Sequence, residues 1–583
     1  MEFTSCLGMR WRQKACDHAE ADAIARRYGV PDLLARVMAA RGVSESTAES
    51  YLDPRLARDL PDPSGLRDMA KAASRIAAAV VRGEHIYIYG DYDVDGATSS
   101  SVLYLFLKAV GAKEVSVRIP ERNEGYDADS VSMRQAKEAG VGLVITVDCG
   151  TTAFEALDTA RQLRLDVVIL DHHEPTEKLP PAVAVVNPKR LDEDREGVFR
   201  HLAAVGVAFM TCIAVSRELR GFGWYQQRAE PDLRRYLDLV ALGTVCDVVR
   251  LSGVNRLLVR AGTAVAGASP NTGIKVVSDL LKIKPPLLPY HFGFVIGPRI
   301  NAGGRVGESS LGFRLLTAPD AGAALRVAEE LDALNVKRRQ IEHEVMLQAS
   351  AQLAASATDG ATFIMVHGEG WQKGVIGIVA GRLREKHNLP ALVLSVEDGQ
   401  AKGSGRSVDG INLGRIVMDA AVEGVIMEGG GHAMAAGFTL DAAKIEDFRA
   451  YVAAHILRQL AGEAMPCQSE YDALVGPAAM TVRLAKALSA LEPYGAGNEE
   501  PMFALAEVQP VRASVVGQGH VRCILKGAGG SVQAIAFKHA DTEVGRALMD
   551  ARGGQLTVLG RLKVNEYQGR ESASFQVADA ARI

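Results

Sequence analysis

The sequence has no apolar run long enough to cross a membrane. The longest, Ala203 to Val215, is interrupted by Thr211 and falls short of the roughly 18 residues a span requires. An apolar leader is missing too, because Met1 to Ala15 mixes Arg10, Arg12 and Lys14 with polar residues. No signal peptide is visible, so a cytoplasmic location with no membrane partner is the expectation. Cysteine is scarce and scattered: seven residues (6, 16, 149, 212, 246, 467 and 523), odd in number and without C-x-x-C spacing. That pattern excludes a disulfide framework and a zinc ribbon and predicts reduced thiols. Excess positive charge is absent as well, with 66 Lys and Arg against 70 Asp and Glu and a formal charge of −4. This balance does not advertise a nucleic-acid binder. It does not exclude one, since aspartates that bind cations bias the count and phosphate contacts need only be concentrated locally. No internal repeat or low-complexity tract is found. What is present is an ordinary globular composition, 48% hydrophobic and 23% charged over 583 residues, enough chain for about three or four domains.

The stretch IYIYGDYDVDGATSS (86–100) sets Asp91, Asp93 and Asp95 at alternate positions and Gly96 directly after the third. This matches the first half of an EF-hand loop. The second half fails, because the twelfth position is Val102 where that loop supplies a bidentate Glu,. The residues before it, Ile86 to Tyr89, are β-branched and aromatic and read as a buried strand where an EF-hand needs a helix,.

From here short apolar strands alternate with helical segments. IYIYG precedes a helix at about 97–110, VSVRI (115–119) one at about 128–139, and LVITVD (143–148) one at about 152–163; DVVIL (166–170) and AVAVV (182–186) complete the series. The βαβ order predicts a parallel, doubly wound sheet. Such sheets bind ligands beyond the carboxyl ends of their strands. Asp91 ends the first strand, Asp148 the third, and Asp171 of DHHEP follows the fourth, so all three converge on one rim. Asp247 in LVALGTVCDVV again follows an apolar stretch.

Aspartates suit Mg²⁺ or Mn²⁺, hard ions that take oxygen ligands, and the imidazoles of His172 and His173 tip the balance toward Mn²⁺,. Two cations a few ångströms apart can activate a water and stabilise charge in an in-line attack on phosphorus. In isolation Asp-x-Asp reads as a capped turn and a His pair as a surface loop. Four acidic or imidazole clusters following successive apolar segments of one α/β unit are hard to explain as solvated surface.

Residues 1–80 read as an amino-terminal helical segment, and 321–356 as a long connecting helix whose NVKRRQIEHEV stretch is a solvated face,. A second α/β unit runs over 357–460. The segment 461–583 carries short strand-like runs such as VRCILKG and QLTVLGRLKV between glycine-containing turns, which suggests a small barrel or sandwich,.

The motifs YGDYDVDGATS, IPER, TVDCG, DHHE, LVALGTVCDVV, GPRINAGGR, GVIGIVAGR, KGSGRS, GGGHAMAAGF and PYGAGNEEPMF occur in this order. Across about Trp11 to Val577 the chain resembles the DHH phosphoesterase superfamily and, within it, the RecJ type of single-strand-specific exonuclease. The resemblance implies an α/β multidomain fold: a parallel-sheet DHH domain (81–320), the connecting helix, an α/β DHHA1 domain, and a carboxyl-terminal OB-fold β-barrel. It implies that Asp93, Asp95, Asp148, His172 and Asp247 hold two Mn²⁺ or Mg²⁺ ions, with Asp148 as bridge, and that Asp91 and His173 complete the catalytic site. Arg299 and Asn301 resemble the family's phosphate-contacting pair, as suits the planar guanidinium fork. Arg122, Ser404 and Arg406 resemble a clamp for a 5′-terminal phosphate, and His432 would close over the substrate.

The implied activity is metal-dependent hydrolysis of single-stranded DNA from the 5′ end to mononucleotides, in repair and recombination. A single-strand-binding protein and a helicase are partners by analogy. For the barrel, Arg522, Lys526, Lys538, Arg561, Lys563 and Arg570 could line a basic groove, with Phe537 and Tyr567 as stacking platforms,. Two other readings remain open: an oligoribonuclease or cyclic-dinucleotide phosphodiesterase, and a non-catalytic DNA-binding scaffold of the same fold. The chain departs from the family pattern at Cys149, where Asn is expected, at Gln372, where His is common, and at Asp127, where Gly usually follows the tyrosine.

Overall fold

The computed structural model describes residues 3–122, 124, 125, 127–355, 362–461, 468–550 and 554–583. The chain divides into two compact units, Pro61–Val249 with Gly253–Pro466, and Met1–Leu60 with Arg250–Ser252 and Cys467–Ile583.

The larger unit begins with five strands, β1 (His85–Gly90), β2 (Glu114–Arg118), β3 (Leu143–Val147), β4 (Asp166–Leu170) and β5 (Ala184–Val186). They lie in the order β2-β1-β3-β4-β5 and every pairing is parallel. All five residues of β3 are buried, as a strand covered on both faces requires. The crossover helices are α1 (Val94–Ala109), α2 (Ser130–Glu138) and α3 (Phe154–Gln162). Helix α1 starts three residues before the position read from the sequence, and the cause is local. Asp93 Oδ1 accepts the N–H groups of Asp95 (2.8 Å) and Gly96 (3.1 Å), an N-cap that draws Asp95 into the first turn.

Helices α4 (Ala204–Gly221), α5 (Leu237–Cys246) and α6 (Gly297–Val306) follow, the last preceded by a π-helical turn at Phe292–Ile296. Helix α7 (Ala321–Ala355) buries Ala324, Val327, Ala328, Leu331, Asn335, Glu342, Val345 and Ala349, a stripe at helical spacing. Its buried Glu342 pairs with Arg338 (2.8 Å) and with Arg382 of α8 (Lys373–His387).

A second sheet contains β6 (Ile364–Glu369), β7 (Ala391–Glu397), β8 (Gln400–Arg406), β9 (Glu428–His432) and β10 (Ala435–Asp441). Their order is β9-β10-β8-β7-β6, with only β6 and β7 parallel. The GGGH motif, which in isolation reads as a flexible turn, is the edge strand β9. Among the described residues no helix is long and apolar enough to cross a membrane.

In the smaller unit β11 (Ala473–Val475) pairs with the first strand of a barrel made of β12 (Phe503–Val516), β13 (His520–Gly527), β14 (Gly530–Ala536), β15 (Leu556–Tyr567) and β16 (Arg570–Arg582). The ring runs β12-β13-β14-β16-β15 and closes through β15 on β12. Phe503, Leu505, Leu525, Val558 and Phe575 of the barrel share one buried cluster with Ile24, Leu34 and Met38 from the helices His18–Tyr28 and Asp32–Ala40. The amino-terminal segment is not wholly helical: Phe3–Thr4 and Arg10–Gln13 are strands, and the second pairs with Gln468–Tyr471.

Candidate metal centre

The register of the parallel sheet builds the centre. Gly90 pairs with Val147, Val147 with Leu170, and Leu170 with Val186. The next residue of each strand therefore leaves the sheet on one row: Asp91, Asp148, Asp171 and Asn187. Asp93 and Asp95 come from the cap and first turn of α1. Asp247 caps the carboxyl end of α5.

These side chains meet. Donor atoms of Asp91, Asp93 and Asp148 lie within 4.8 Å of one another, as do those of Asp95, His172 and Asp247, and those of Asp148, His172 and His173. His172 Nε2 is 3.3 Å from Asp148 Oδ1, 3.5 Å from Asp247 Oδ2 and 3.8 Å from Asp95 Oδ2. The first two sets touch through Asp148 and His172, so the arrangement could hold two cations with Asp148 between them.

The electrostatics are those of a site built around positive charge. Burial, and after it the neighbouring carboxylates, push the carboxyls of Asp91, Asp95, Asp148 and Asp247 upward,. Burial, and then His173, push His172 down to about 3, leaving a neutral ring with a lone pair to donate. Asp91 Oδ1, Asp247 Oδ2 and both ring nitrogens of His172 are buried and make no hydrogen bond among the described residues, a costly state for polar atoms without a ligand. The donors are carboxylate oxygens and imidazole nitrogens, a set that fits Mn²⁺ or Mg²⁺.

Asp171, which sequence reasoning placed on the rim without a role, is an organiser. Its Oδ1 accepts from His173 Nδ1 at 2.8 Å and from the His172 N–H at 2.7 Å, and Oδ2 accepts from the Thr151 N–H at 3.1 Å. Burial alone would raise its pKa, but the bond to and charge of His173, with His172 and Thr151, together outweigh that and hold it well below the usual carboxylate range. Asn187 bridges Thr151 Oγ1 and the His173 carbonyl at 3.0 and 2.8 Å. The signal for both was present in the strand alignment.

Asp95 carries a second duty. Its two oxygens accept the Ala204 and Val205 N–H groups at 2.7 and 2.9 Å, at the amino-terminal end of α4, where a carboxylate is favoured.

A cavity of about 930 Å³ in the same unit is lined by Arg122, Arg305, Lys337, Lys402, Ser404 and Arg406. It thus gathers the three residues of the expected end-phosphate clamp. Arg122 lies over the Tyr92 ring (4.2 Å) and donates to the Gly304 carbonyl (3.0 Å), while Arg406 donates to Ser404 Oγ (3.2 Å). Arg305 was not foreseen, although it closes the quoted GPRINAGGR motif; it donates to the Gly374 carbonyl at 2.7 Å, and burial brings it down to about 10.

Arg299 is engaged elsewhere, by Asp332 at 2.8 Å and by the Val295 carbonyl at 2.7 Å; Asn301 is half-buried on the same helix. His432 is exposed at the end of β9 and close enough to Lys189, Glu174 and His173 to sense their charges. On the barrel, Phe537 is 47% exposed and Tyr567 69% exposed. Phe537 meets His520 edge-on at 5.2 Å, a neighbour set by the pairing of β13 with β14. Lys563 spends its charge on Glu500 at 2.6 Å, with Arg561 nearby, whereas Arg522 and Lys526 are exposed on β13.

The comparisons with known proteins agree with this fold. Residues 85–244 match the DHH family amino-terminal domain, 359–457 the DHHA1 domain and 471–579 the RecJ OB domain. The single-stranded-DNA-specific exonuclease RecJ of Salmonella typhimurium is 33% identical over 97% of this chain and 99% of its own. The crystal structure of RecJ from Thermus thermophilus in complex with Mn²⁺ superposes with a TM-score of 0.82 at 29% identity, covering 98% of this chain and 79% of that one. Its Mg²⁺ complex gives 0.76 at 28% identity, covering 98% and 78%. The chain belongs to the RecJ family of single-stranded-DNA-specific exonucleases.

Proposed function

We propose that this protein is a metal-dependent exonuclease that hydrolyses single-stranded DNA from the 5′ end and releases mononucleotides. The observation that carries the reading is the shared row of Asp91, Asp148 and Asp171, fixed by strand register, beside a cation-lined cavity. Asp93, Asp95, Asp148, His172 and Asp247 would hold two divalent cations, with Asp91 at the edge of the first set. When bound, these ions offset the buried carboxylates and supply Lewis acidity toward water and a phosphodiester.

The chain's own groups do the rest. The bond from His173 Nδ1 to Asp171 orients the ring and favours its protonated form, and Nε2 would meet the substrate. His173 then presents an N–H to a phosphate oxygen and can pass that proton to the departing one. Arg122, Ser404 and Arg406 would bind the 5′-terminal phosphate, with Arg305 adding charge, so the strand end is fixed while the first linkage meets the metal centre. Asn301 and the remaining donor of Arg299 would face the phosphate backbone, and His432 would close the site. Phe537 and Tyr567 would stack bases of the single strand.

A barrel with exposed basic and aromatic side chains favours a long strand over a dinucleotide. A role in DNA repair and recombination in the cytoplasm, beside a single-strand-binding protein and a helicase, extends the proposal. So does a division into 1–80, 81–320, 321–356, 357–460 and 461–583. With Mn²⁺, a strand labelled at its 5′ end should release labelled mononucleotide at once, whereas a 3′ label should shorten progressively. Asp148→Ala should abolish both, and release of the 3′ label first would overturn the direction.

A further inference from the structure

We infer that Asp127 is a positioning residue of the metal centre, clamping the loop that presents Asp148; the inference rests on the function proposed above. The loop is strained. Asp148 sits at φ 61°, a left-handed conformation uncommon outside glycine, though Asn and Asp tolerate it better than other residues. Gly150 follows at φ 107°, and a Cβ there would stand 2.5 Å from Thr146 Oγ1 and 3.3 Å from Ile169 Cγ2. Such a turn persists only where its surroundings over-determine it.

The inner half is held by the sheet, through the Asp148 N–H on the Leu170 carbonyl (3.0 Å) and Thr146 Oγ1 on the Cys149 carbonyl (3.0 Å). The Cys149 thiol itself offers only a 3.9 Å contact to the Tyr89 carbonyl, a weak bond by the nature of sulfur. The outer half depends on two carboxylates and on Asn187, which donates to Thr151 Oγ1. Asp171 takes the Thr151 N–H. Asp127 takes two groups at once, the Gly150 N–H on Oδ1 at 2.7 Å and Thr152 Oγ1 on Oδ2 at 2.9 Å.

The clamp is itself fixed. Oδ1 also accepts the Ala128 N–H at 3.0 Å, and Tyr89 donates its hydroxyl to the Asp127 carbonyl at 3.4 Å. Asp127 belongs to none of the three donor sets and reaches the centre only through the backbone two residues beyond Asp148. It enters from the β2–α2 segment, where the family pattern usually has a glycine that could supply no such bond.

The test is Mn²⁺ titration of the full chain by calorimetry. Asp127→Ala should raise the Mn²⁺ Kd by about tenfold or more, the scale of losing an outer partner of a metal ligand, and hydrolysis should recover as Mn²⁺ is raised in proportion. Asp127→Asn, which keeps an acceptor for Gly150, should lose less. Asp129→Ala removes the cap of α2 on the same segment, where Asp129 accepts the Ser132 N–H at 2.7 Å; it should lower stability and leave the Mn²⁺ Kd unchanged. A Kd for Asp127→Ala within about twofold of the unmodified chain, or an equal loss in Asp129→Ala, overturns the clamp. If Asp127→Ala does not fold, Asp127→Asn decides, with a rise of about threefold expected and no change counting against the clamp. Absence of Mn²⁺ binding by the unmodified chain would instead refute the metal centre.

Discussion

Asp95 and Asp247 share one donor set, yet their removal should have opposite effects on the metal-free fold. Replacing Asp95 with Ala strips two buried N–H groups, those of Ala204 and Val205, of acceptors at 2.7 and 2.9 Å. Each stranded donor costs about 1–3 kcal/mol, and losing a carboxylate at the start of α4 adds roughly 0.3–1 kcal/mol. Relief of repulsion among the buried carboxylates returns part of this. The expected net loss is about 2–4 kcal/mol.

Asp247→Ala has nothing comparable to lose, because Oδ2 of Asp247 makes no hydrogen bond among the described residues and, beside His172 at 3.5 Å and the charge of Lys189, the carboxylates of Asp95 and Asp93 dominate its surroundings. It should leave the metal-free protein unchanged or stabilise it slightly. Urea unfolding in EDTA, followed by circular dichroism, measures both. Added Mn²⁺ should raise the stability of the unmodified chain and of neither variant. An Asp95→Ala protein as stable in EDTA as the unmodified chain would refute the claim that this carboxylate anchors α4.

Three further outcomes are expected. Alanine normally favours a helix over glycine by about 1 kcal/mol. Gly243→Ala in α5 should nevertheless destabilise by about 1–3 kcal/mol and weaken Mn²⁺ binding, since its Cβ would strike Thr98 Oγ1 and stand 2.8 Å from Val205 Cγ1 and 3.1 Å from Asp95 Oδ1; thermal melts and Mn²⁺ titration check this. Phe537→Ala should weaken binding of a long single strand by about 1–3 kcal/mol, one stacked base, as fluorescence anisotropy would show. Burial pushes the Asp238 carboxyl up to about 6, so the fold favours its neutral form. Its contribution to stability is complete below its ordinary 3.8 and is lost as pH rises through about 6, roughly 3 kcal/mol in all. Urea unfolding from pH 4 to pH 8 should show that decline, and Asp238→Asn should remove it.

Much of the sheet was legible because its cues are local. Val, Ile and Tyr runs bounded by Gly and Asp mark β1, β3 and β4, and parallel order makes their ends coincide. The long helix α7 was readable for the same reason, its stripe repeating at helical spacing over many turns. Contacts set by distant partners were not legible. The helices His18–Tyr28 and Met69–Arg82 look alike in sequence, yet Ile24 joins the buried cluster of the barrel unit while the second helix belongs to the unit of the parallel sheet. The attachment of Arg299 to Asp332 depends on where α7 passes. The clasp of Asp127 on Gly150 depends on how the β2–α2 segment folds back. A single substitution at a site of departure can therefore carry meaning that spacing does not reveal.

The shared core of the smaller unit has one consequence for biosynthesis. Ile24, Leu34 and Met38 leave the ribosome roughly 470–550 residues before Phe503 and Phe575 of the same buried cluster, a wait of about 25–110 s at typical elongation rates of ~5–20 residues per second. During that interval the parallel-sheet unit can fold to completion, while the nascent amino terminus keeps oily side chains in water. Chaperone occupancy on the emerging chain should accordingly persist until the last strands are made, and loss of either terminus should leave the same unit without a core.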